Sequence, residues 1–293
     1  MINKKSILVT GGSGFVGSNL IKLLLKKTKF NIISLDNYSS GSKKNHIKDS
    51  RVKYLKGETK NIKTIIKQPN KIQSVFHFGE FARIYQSFIN MSECIESNTI
   101  GTNSVFNFCL KNKIRLIYSA TSATLGNRGK DKNLSPYAFT KAKNLELLEN
   151  LKKWFNFKYE VIYFYNVYGP GQISKGKMAT VIGIFEEAYK KKKALPVVLP
   201  GSQSRRFTHI DDTVNICYLA WKKNLSRHYS ISNKKSYSIL QVAKMFKSKI
   251  KFLKKRPGER YASTLTHMNL YNKVYKYFGK KKLKDYINEI IKN

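Results

Sequence analysis

The chain has 293 residues, enough for one large core or for a cofactor domain carrying a smaller lobe. Hydrophobic residues make up 41% and charged residues 25%, the balance of an ordinary folded protein, and no stretch approaches the roughly 20 apolar residues of a membrane-crossing helix. A net charge of +39 invites a nucleic-acid reading, but only nine of the 56 basic residues are Arg, and base readout and phosphate clamping favour Arg. Lys spread along the whole chain beside many Asn and Ile reads instead as compositional drift. It implies no specific nucleic-acid partner, only a general attraction for anionic substrates.

Cys94, Cys109 and Cys217 have no metal-ligand spacing, and the chain carries no cluster with that spacing, so no metal is expected. Sparse, odd-numbered thiols suit a reducing compartment, and the cytoplasm is the expected location. The basic start, Met1 to Lys5, leads through a short apolar run straight into glycines, which is not the pattern of a secretory leader.

In chain order, a buried strand over 6–10 runs into a glycine-rich turn and a helix over 14–25. Strands follow over 31–35, 52–56, 74–78, 114–119 and 160–165. Helices over 61–67, 92–111 and 136–155 lie between them, with Pro136 where a first helical turn tolerates it. Strands alternating with helices imply right-handed crossovers and a parallel sheet covered on both faces. After Asn166 the pattern loosens. It gives helices over 179–192 and 211–223, a short strand over 197–199, and a helix opened by a Ser238…Gln241 capping box. Helices over 269–278 and 284–292 close the chain.

The expected fold is α/β: a Rossmann-type doubly wound parallel sheet over 1–166, with 167–293 forming mainly a smaller substrate-binding lobe. Segments around 205–230 are expected to return to the sheet. The cleft between lobe and sheet is the expected site.

Gly11-Gly12-Ser13-Gly14-Phe15-Val16-Gly17 follows the first strand and opens a helix. In a dinucleotide fingerprint one such glycine makes the tight turn, one admits the pyrophosphate, and one lets helix and strand pack closely. The pyrophosphate sits on the helix N-terminus. Asp36, 19 residues beyond Gly17, ends the second strand. A carboxylate there accepts from the adenosine ribose and repels a 2′-phosphate, which selects NAD over NADP. Asn37 adjoins it. Glu58, after the third strand, is placed either to accept from the adenine amino group or to stand as a solvated loop acid.

Tyr137 and Lys141 lie four residues apart, on one helical face, with Ser122 15 residues upstream of Tyr137. A nearby ammonium and a positively charged nicotinamide both favour the phenolate over the phenol. A serine hydroxyl can hold the same substrate oxygen. The set suits removal of a proton from a sugar hydroxyl while hydride leaves the same carbon. Thr121 competes with Ser122 for the hydroxyl role.

These residues, with Asp36-Asn-Tyr-Ser-Ser-Gly41, Val75-Phe-His-Phe78, Asn98-Thr-Ile-Gly-Thr102, Asn166-Val-Tyr-Gly-Pro170, Arg205-Arg-Phe-Thr-His-Ile-Asp211 and Arg256-Pro-Gly-Glu259, carry a resemblance. The chain resembles the extended short-chain dehydrogenases/reductases, in the NAD-dependent epimerase/dehydratase group typified by UDP-glucose 4-epimerase. The resemblance spans nearly the whole chain. It implies that Ser122, Tyr137 and Lys141 are catalytic and that Lys141 also binds the nicotinamide ribose. It implies that Phe78 and Gly79 pass under the cofactor and that Asn98 is a support residue near the active site, grouped with the substrate-binding residues. Asn166, Arg205 and Arg256 are implied to contact the nucleotide diphosphate of the substrate, a role that suits guanidinium forks. It further implies a homodimer joined through the two long helices.

The chain also departs from the group. Dehydratases carry an Asp-Glu pair directly after the catalytic hydroxyl, whereas Ala123 and Thr124 stand at those positions and cannot eliminate water. Gly79-Glu80-Phe81-Ala82-Arg83 replaces small residues after the fourth strand. Glu80 and Arg83 either line the sugar pocket or pair with each other. His77 and His209 read as structural. The expected function is 4-epimerisation of a nucleotide diphosphate hexose through a 4-keto intermediate. The alternatives are a one-way nucleotide-sugar dehydrogenase or reductase, a 4,6-dehydratase, and a non-catalytic basic nucleic-acid-binding or scaffold protein on a Rossmann core.

Overall fold

The computed structural model describes residues 5–125, 132–258 and 274–292. Glu259, the Gly126-Asn127 pair after Ser122, and residues 269–273 lie outside them.

Six β-branched or aromatic runs form strands β1 (Ser6–Thr10), β2 (Asn31–Asp36), β3 (Val52–Lys56), β4 (Ile72–His77), β5 (Arg115–Thr121) and β6 (Tyr159–Phe164). They join His228–Ser232 and Val274–Phe278 in one eight-stranded sheet. The order is Val274–Phe278, His228–Ser232, β6, β5, β4, β1, β2, β3. Every neighbouring pair is parallel, so the sheet must be covered on both faces, and it is. One apolar layer gathers Leu8, Val75, Phe106, Leu116 and Leu148; the other gathers Ile7, Leu24, Phe76, Ile162 and Trp221. From β1 the chain winds outward to β2 and β3, then jumps back to β4 on the other side. The switch point between β1 and β4 is where an open α/β sheet leaves its ligand crevice.

A third apolar cluster, around Phe185, Val197, Phe207, Phe246 and Ile287, belongs to short elements that do not enter the large sheet. Among them are the helices Val181–Lys190 and Leu283–Lys292 and the parallel pair Leu195–Val198 with Ile250–Leu253. The Ser238…Gln241 capping box forms as expected.

Two expectations need correction. The segment expected as a helix over 269–278 contains a strand at Val274–Phe278, which adds an edge to the sheet beside His228–Ser232. Its tyrosines Tyr275 and Tyr277 pack on Tyr229, and an edge strand buries only one face, which leaves a weak periodicity to read. The long helix over 92–111 is interrupted: Met91–Ile95 and Thr102–Lys111 flank a π-helical turn over Glu96–Gly101. There Gly101 sits against Thr59, so closely that an added Cβ would lie 2.3 Å from the threonine hydroxyl. Single π turns inside helices recur at functional sites.

Candidate active site

The loop after β1 is built for close approach. Gly11 has φ +68°, and a Cβ on it would meet the backbone of Phe78 and Gly79 at 2.8 Å. A Cβ on Gly17 would lie 2.1 Å from the Gly11 carbonyl. The loop therefore lies flat between α1 (Phe15–Lys27) and the end of β4, and the N-terminus of α1 has no acidic residue in its first turn and no side-chain cap. That leaves backbone N–H groups and a positive dipole end for an anion. Asp36, at the end of β2, accepts from the backbone N–H of Ser13 (2.9 Å) and of Tyr38 (2.8 Å). Burial raises its pKa, and those two donors pull it back towards the carboxylate. Asp36 lines a cavity of about 910 Å³.

Gly11, Gly14, Phe15, Val16, Gly17, Asp36, Asn37, Glu58, Phe78 and Gly79 all line this cavity. Asn37 accepts from the backbone of Ser39, and Glu58 forms an exposed ion pair with Lys60 at 3.1 Å. A flat glycine cradle, a free helix N-terminus and a buried carboxylate at the end of β2 fit a pyrophosphate and an adenosine ribose. When bound there, a nicotinamide dinucleotide supplies a hydride acceptor and donor.

The residues expected to be catalytic lie along the same cavity. Ser122 starts a 3-10 turn directly after β5, and Thr121 caps that turn by accepting from Ala123 N–H at 3.2 Å. Ser135 caps the helix Pro136–Phe155, and its first turns carry Tyr137 and Lys141 on one face. Ser122, Tyr137 and Lys141 are all less than a tenth exposed and all line the cavity. Lys141 Nζ donates to the Ser119 carbonyl and sits 4.7 Å from the centre of the Tyr118 ring.

Glu80 carries more of the site than its place in the sequence suggests. It does not pair with Arg83. Its carboxylate forms a buried ion pair with Lys141, both side chains less than a twentieth exposed. It also accepts from Thr102 Oγ1 (3.0 Å), Tyr118 Oη (3.0 Å) and Asn144 Nδ2 (3.3 Å). Arg83 donates from Nε to the Met178 carbonyl at 2.9 Å and from Nη1 to the Ala82 carbonyl at 2.8 Å. Both residues line the cavity.

On the far side, Asn166, Arg205 and Arg256 also line it. Asn166 donates to the Arg206 carbonyl (2.9 Å), Arg205 to the Ser204 carbonyl (2.9 Å), and Arg256 stacks over Tyr85 at 4.8 Å. Asn98 differs from the expectation of substrate contact. It is fully buried and does not line the cavity; its side chain accepts from Phe81 N–H (2.7 Å) and donates to Phe81 C=O (3.0 Å). It is a clamp on the segment that carries Glu80. Asn98→Leu would leave the Phe81 carbonyl without this donor and Phe81 N–H with only Ser97 Oγ (3.2 Å), costing about 1–3 kcal/mol. A clear fall in the thermal unfolding midpoint is the expected outcome; an unchanged midpoint would contradict the clamp.

The structural histidines behave as expected. His77 is buried between Thr10 (2.7 Å) and Thr102 (3.0 Å), and burial pulls its pKa down to about 4. His209 caps the helix Ile210–Lys223 and lies 3.6 Å from Asp211. All three cysteines are free and buried. Among the described residues no group of side chains could hold a metal ion, and no helix is long and apolar enough to cross a membrane.

A glycine cradle at the switch point of a doubly wound sheet, beside a buried Ser, Tyr and Lys, defines a dinucleotide-dependent enzyme of Rossmann type. The model of the NAD-dependent epimerase/dehydratase family matches residues 7–232, and the chain belongs to that family, with NAD as its cofactor. It is 29% identical over 259 residues to an ADP-L-glycero-D-manno-heptose-6-epimerase of Brachyspira hyodysenteriae, covering 82% of this chain and 80% of that one. It is 28% identical over 275 residues to a putative UDP-glucose 4-epimerase of Methanocaldococcus jannaschii, covering 87% and 88%. Its fold is similar to that of a Thermotoga maritima UDP-glucose 4-epimerase crystallised with UDP-glucose, with a TM-score of 0.83, 22% identity and coverage of 98% and 97%.

Proposed function

We propose that this enzyme is a nucleotide-sugar 4-epimerase. The observation that carries the reading is the joint lining of one cavity by the glycine cradle, by Ser122, Tyr137 and Lys141, and by two arginines at the far end. Such a cavity suits a dinucleotide and a nucleotide diphosphate sugar laid end to end. Phenolate Tyr137 takes the proton of the C4 hydroxyl as the C4 hydride leaves. Ser122 holds the same oxygen. Thr121 accepts from Ala123 N–H at the cap and keeps its own O–H, so it stands as the alternative for that task. Lys141 keeps positive charge beside the phenolate and has one N–H left for the nicotinamide ribose once Glu80 and the Ser119 carbonyl are served. The 4-keto sugar turns in the pocket, and Tyr137 returns its proton when hydride comes back to the other face. Asn166, Arg205 and Arg256 hold the diphosphate. Ala123 and Thr124, both buried after Ser122, provide no acid or base for removing water, which argues against a 4,6-dehydratase.

The same proposal takes residues 1–166 as the cofactor domain and 167–293 as mainly the substrate lobe. It places the enzyme in the cytoplasm as a homodimer. Exposed Met91, Ile95, Ile100 and Phe139 on the two helical stretches support that interface.

The test is a panel of UDP-, GDP- and dTDP-hexoses, incubated without added cofactor and followed by proton NMR. Appearance of a C4 epimer is the expected result. No change across the panel, together with a rise at 340 nm when NAD+ is added, would replace the reading with a one-way dehydrogenase.

A further inference from the structure

We propose that Glu80 is a positioning residue that sets the pH range over which the Tyr137–Lys141 pair works. The inference rests on the assignment of Tyr137 and Lys141 as the proton-transfer pair and deepens it.

The charges around the pair can be counted from every element packed on it. From the loop after β4 come Glu80 and Arg83; from β4 itself comes His77; from β5 comes Tyr118; from the helix Met91–Ile95 come Cys94 and the solvent-exposed Glu93. Burial pulls His77 down to about 4, pushes Cys94 up to about 11, and pushes Tyr118 well above the usual phenol value. All three are neutral near pH 7. Apart from Glu93, which solvent screens, the charged groups that remain are Lys141, Arg83 and Glu80. Arg83 is bonded only to carbonyl oxygens, so its charge is not cancelled by a contacting acid. Glu80 is therefore the one negative charge among these groups, and it sits directly on the ammonium that the phenolate depends on.

Its own position is tightly held. Oε1 accepts from Thr102, Tyr118 and Asn144, and Oε2 from Lys141, which uses the capacity of an ionised carboxylate. The network reaches the cofactor cradle. Gly79 N–H donates to Thr10 Oγ1 (3.0 Å), Thr10 donates to His77 Nδ1 (2.7 Å), His77 donates from Nε2 to Thr102 (3.0 Å), and Thr102 donates to Glu80. These directions close when His77 carries its proton on Nε2, the tautomer the network selects. The same acid thus orients Lys141 and is oriented by the strand end over which the cofactor passes.

Removing a buried negative charge lowers the proton affinity of every group beside it. In Glu80→Gln the phenol of Tyr137 gives up its proton more readily, and Lys141 loses the partner that favours its charged form. Both titrations move to lower pH. Glu80 touches Lys141 and acts on Tyr137 from beyond contact, so a downward shift of the Tyr137 midpoint by about half a unit or more is expected.

The shift is read with no sugar present. Phenolate absorbance of the NAD-loaded enzyme is titrated against pH, and the curve of a Tyr137→Phe version is subtracted to isolate Tyr137. The expected result is a lower Tyr137 midpoint in Glu80→Gln. A midpoint at its original pH, whatever happens to stability, would overturn the proposal and leave Glu80 as packing. Tyr118→Phe covers the case in which Glu80→Gln does not fold. It removes one donor from the carboxylate and leaves its charge, so it should raise the midpoint by a few tenths of a unit; no movement would equally overturn the proposal. A shifted midpoint in an enzyme that turns over no nucleotide sugar would leave this inference standing and remove the epimerase reading.

Discussion

Tyr137→Phe should lower turnover by about 10²–10⁴-fold, the range removed with a positioned general acid–base group. The substitution deletes one oxygen from a side chain that is 9% exposed and keeps its ring, so folding should be unaffected. NAD binding should also persist, because the glycine cradle and Asp36 lie on other elements. The loss should fall on kcat, since the phenolate acts on the reacting hydroxyl and contributes little to ground-state binding. Steady-state kinetics beside a direct measurement of bound NAD separate these effects. A variant that kept its kcat and lost only substrate affinity would show that Tyr137 binds and does not transfer the proton.

Gly17→Ala should disable the enzyme by a different route. The new Cβ would stand 2.1 Å from the Gly11 carbonyl, and the contact is backbone on backbone, with no flexible side chain to swing away. Either α1 moves off the loop or the loop leaves the end of β4. Forcing one methyl group into a packed site costs about 1–3 kcal/mol. The cost falls on the turn that presents N–H groups to the pyrophosphate. The expected outcome is at least a tenfold loss in NAD affinity with a lower unfolding midpoint. Calorimetric titration with NAD+ checks it, and unchanged affinity would mean that the cofactor does not use this turn.

The features legible in the sequence are those whose chemistry is local. The glycine loop is readable because close backbone approach leaves glycine as the only choice at Gly11 and Gly17, and the flanking strand and helix give it context. Tyr137 and Lys141 are readable because one helical turn brings them to one face. The cap at Ser238 and the strands β1 to β6 are likewise written in short periodic runs. What stays hidden depends on contacts between distant segments. Glu80 meets Lys141 across 61 positions of sequence, through the pairing of β4 with β5 and the docking of the helix Pro136–Phe155. Its acidity is visible after the fourth strand; its partner is not. Asn98 reads in sequence as a substrate-side residue, and its inward turn follows from the π-helical segment around it, which no propensity marks. Val274–Phe278 reads as helix because an edge strand buries one face only and its lysine-rich surroundings mimic a solvated helix.

In the proposed epimerisation hydride leaves C4 of the sugar and returns to the same carbon. The direct measurement uses a nucleotide hexose that carries deuterium at C4, a substrate taken from the panel, in ordinary water without added NAD. The expected product is a C4 epimer that retains its deuterium. An epimer that has exchanged its C4 label for solvent hydrogen would contradict hydride transfer and, with it, the roles assigned to Tyr137, Ser122 and Lys141.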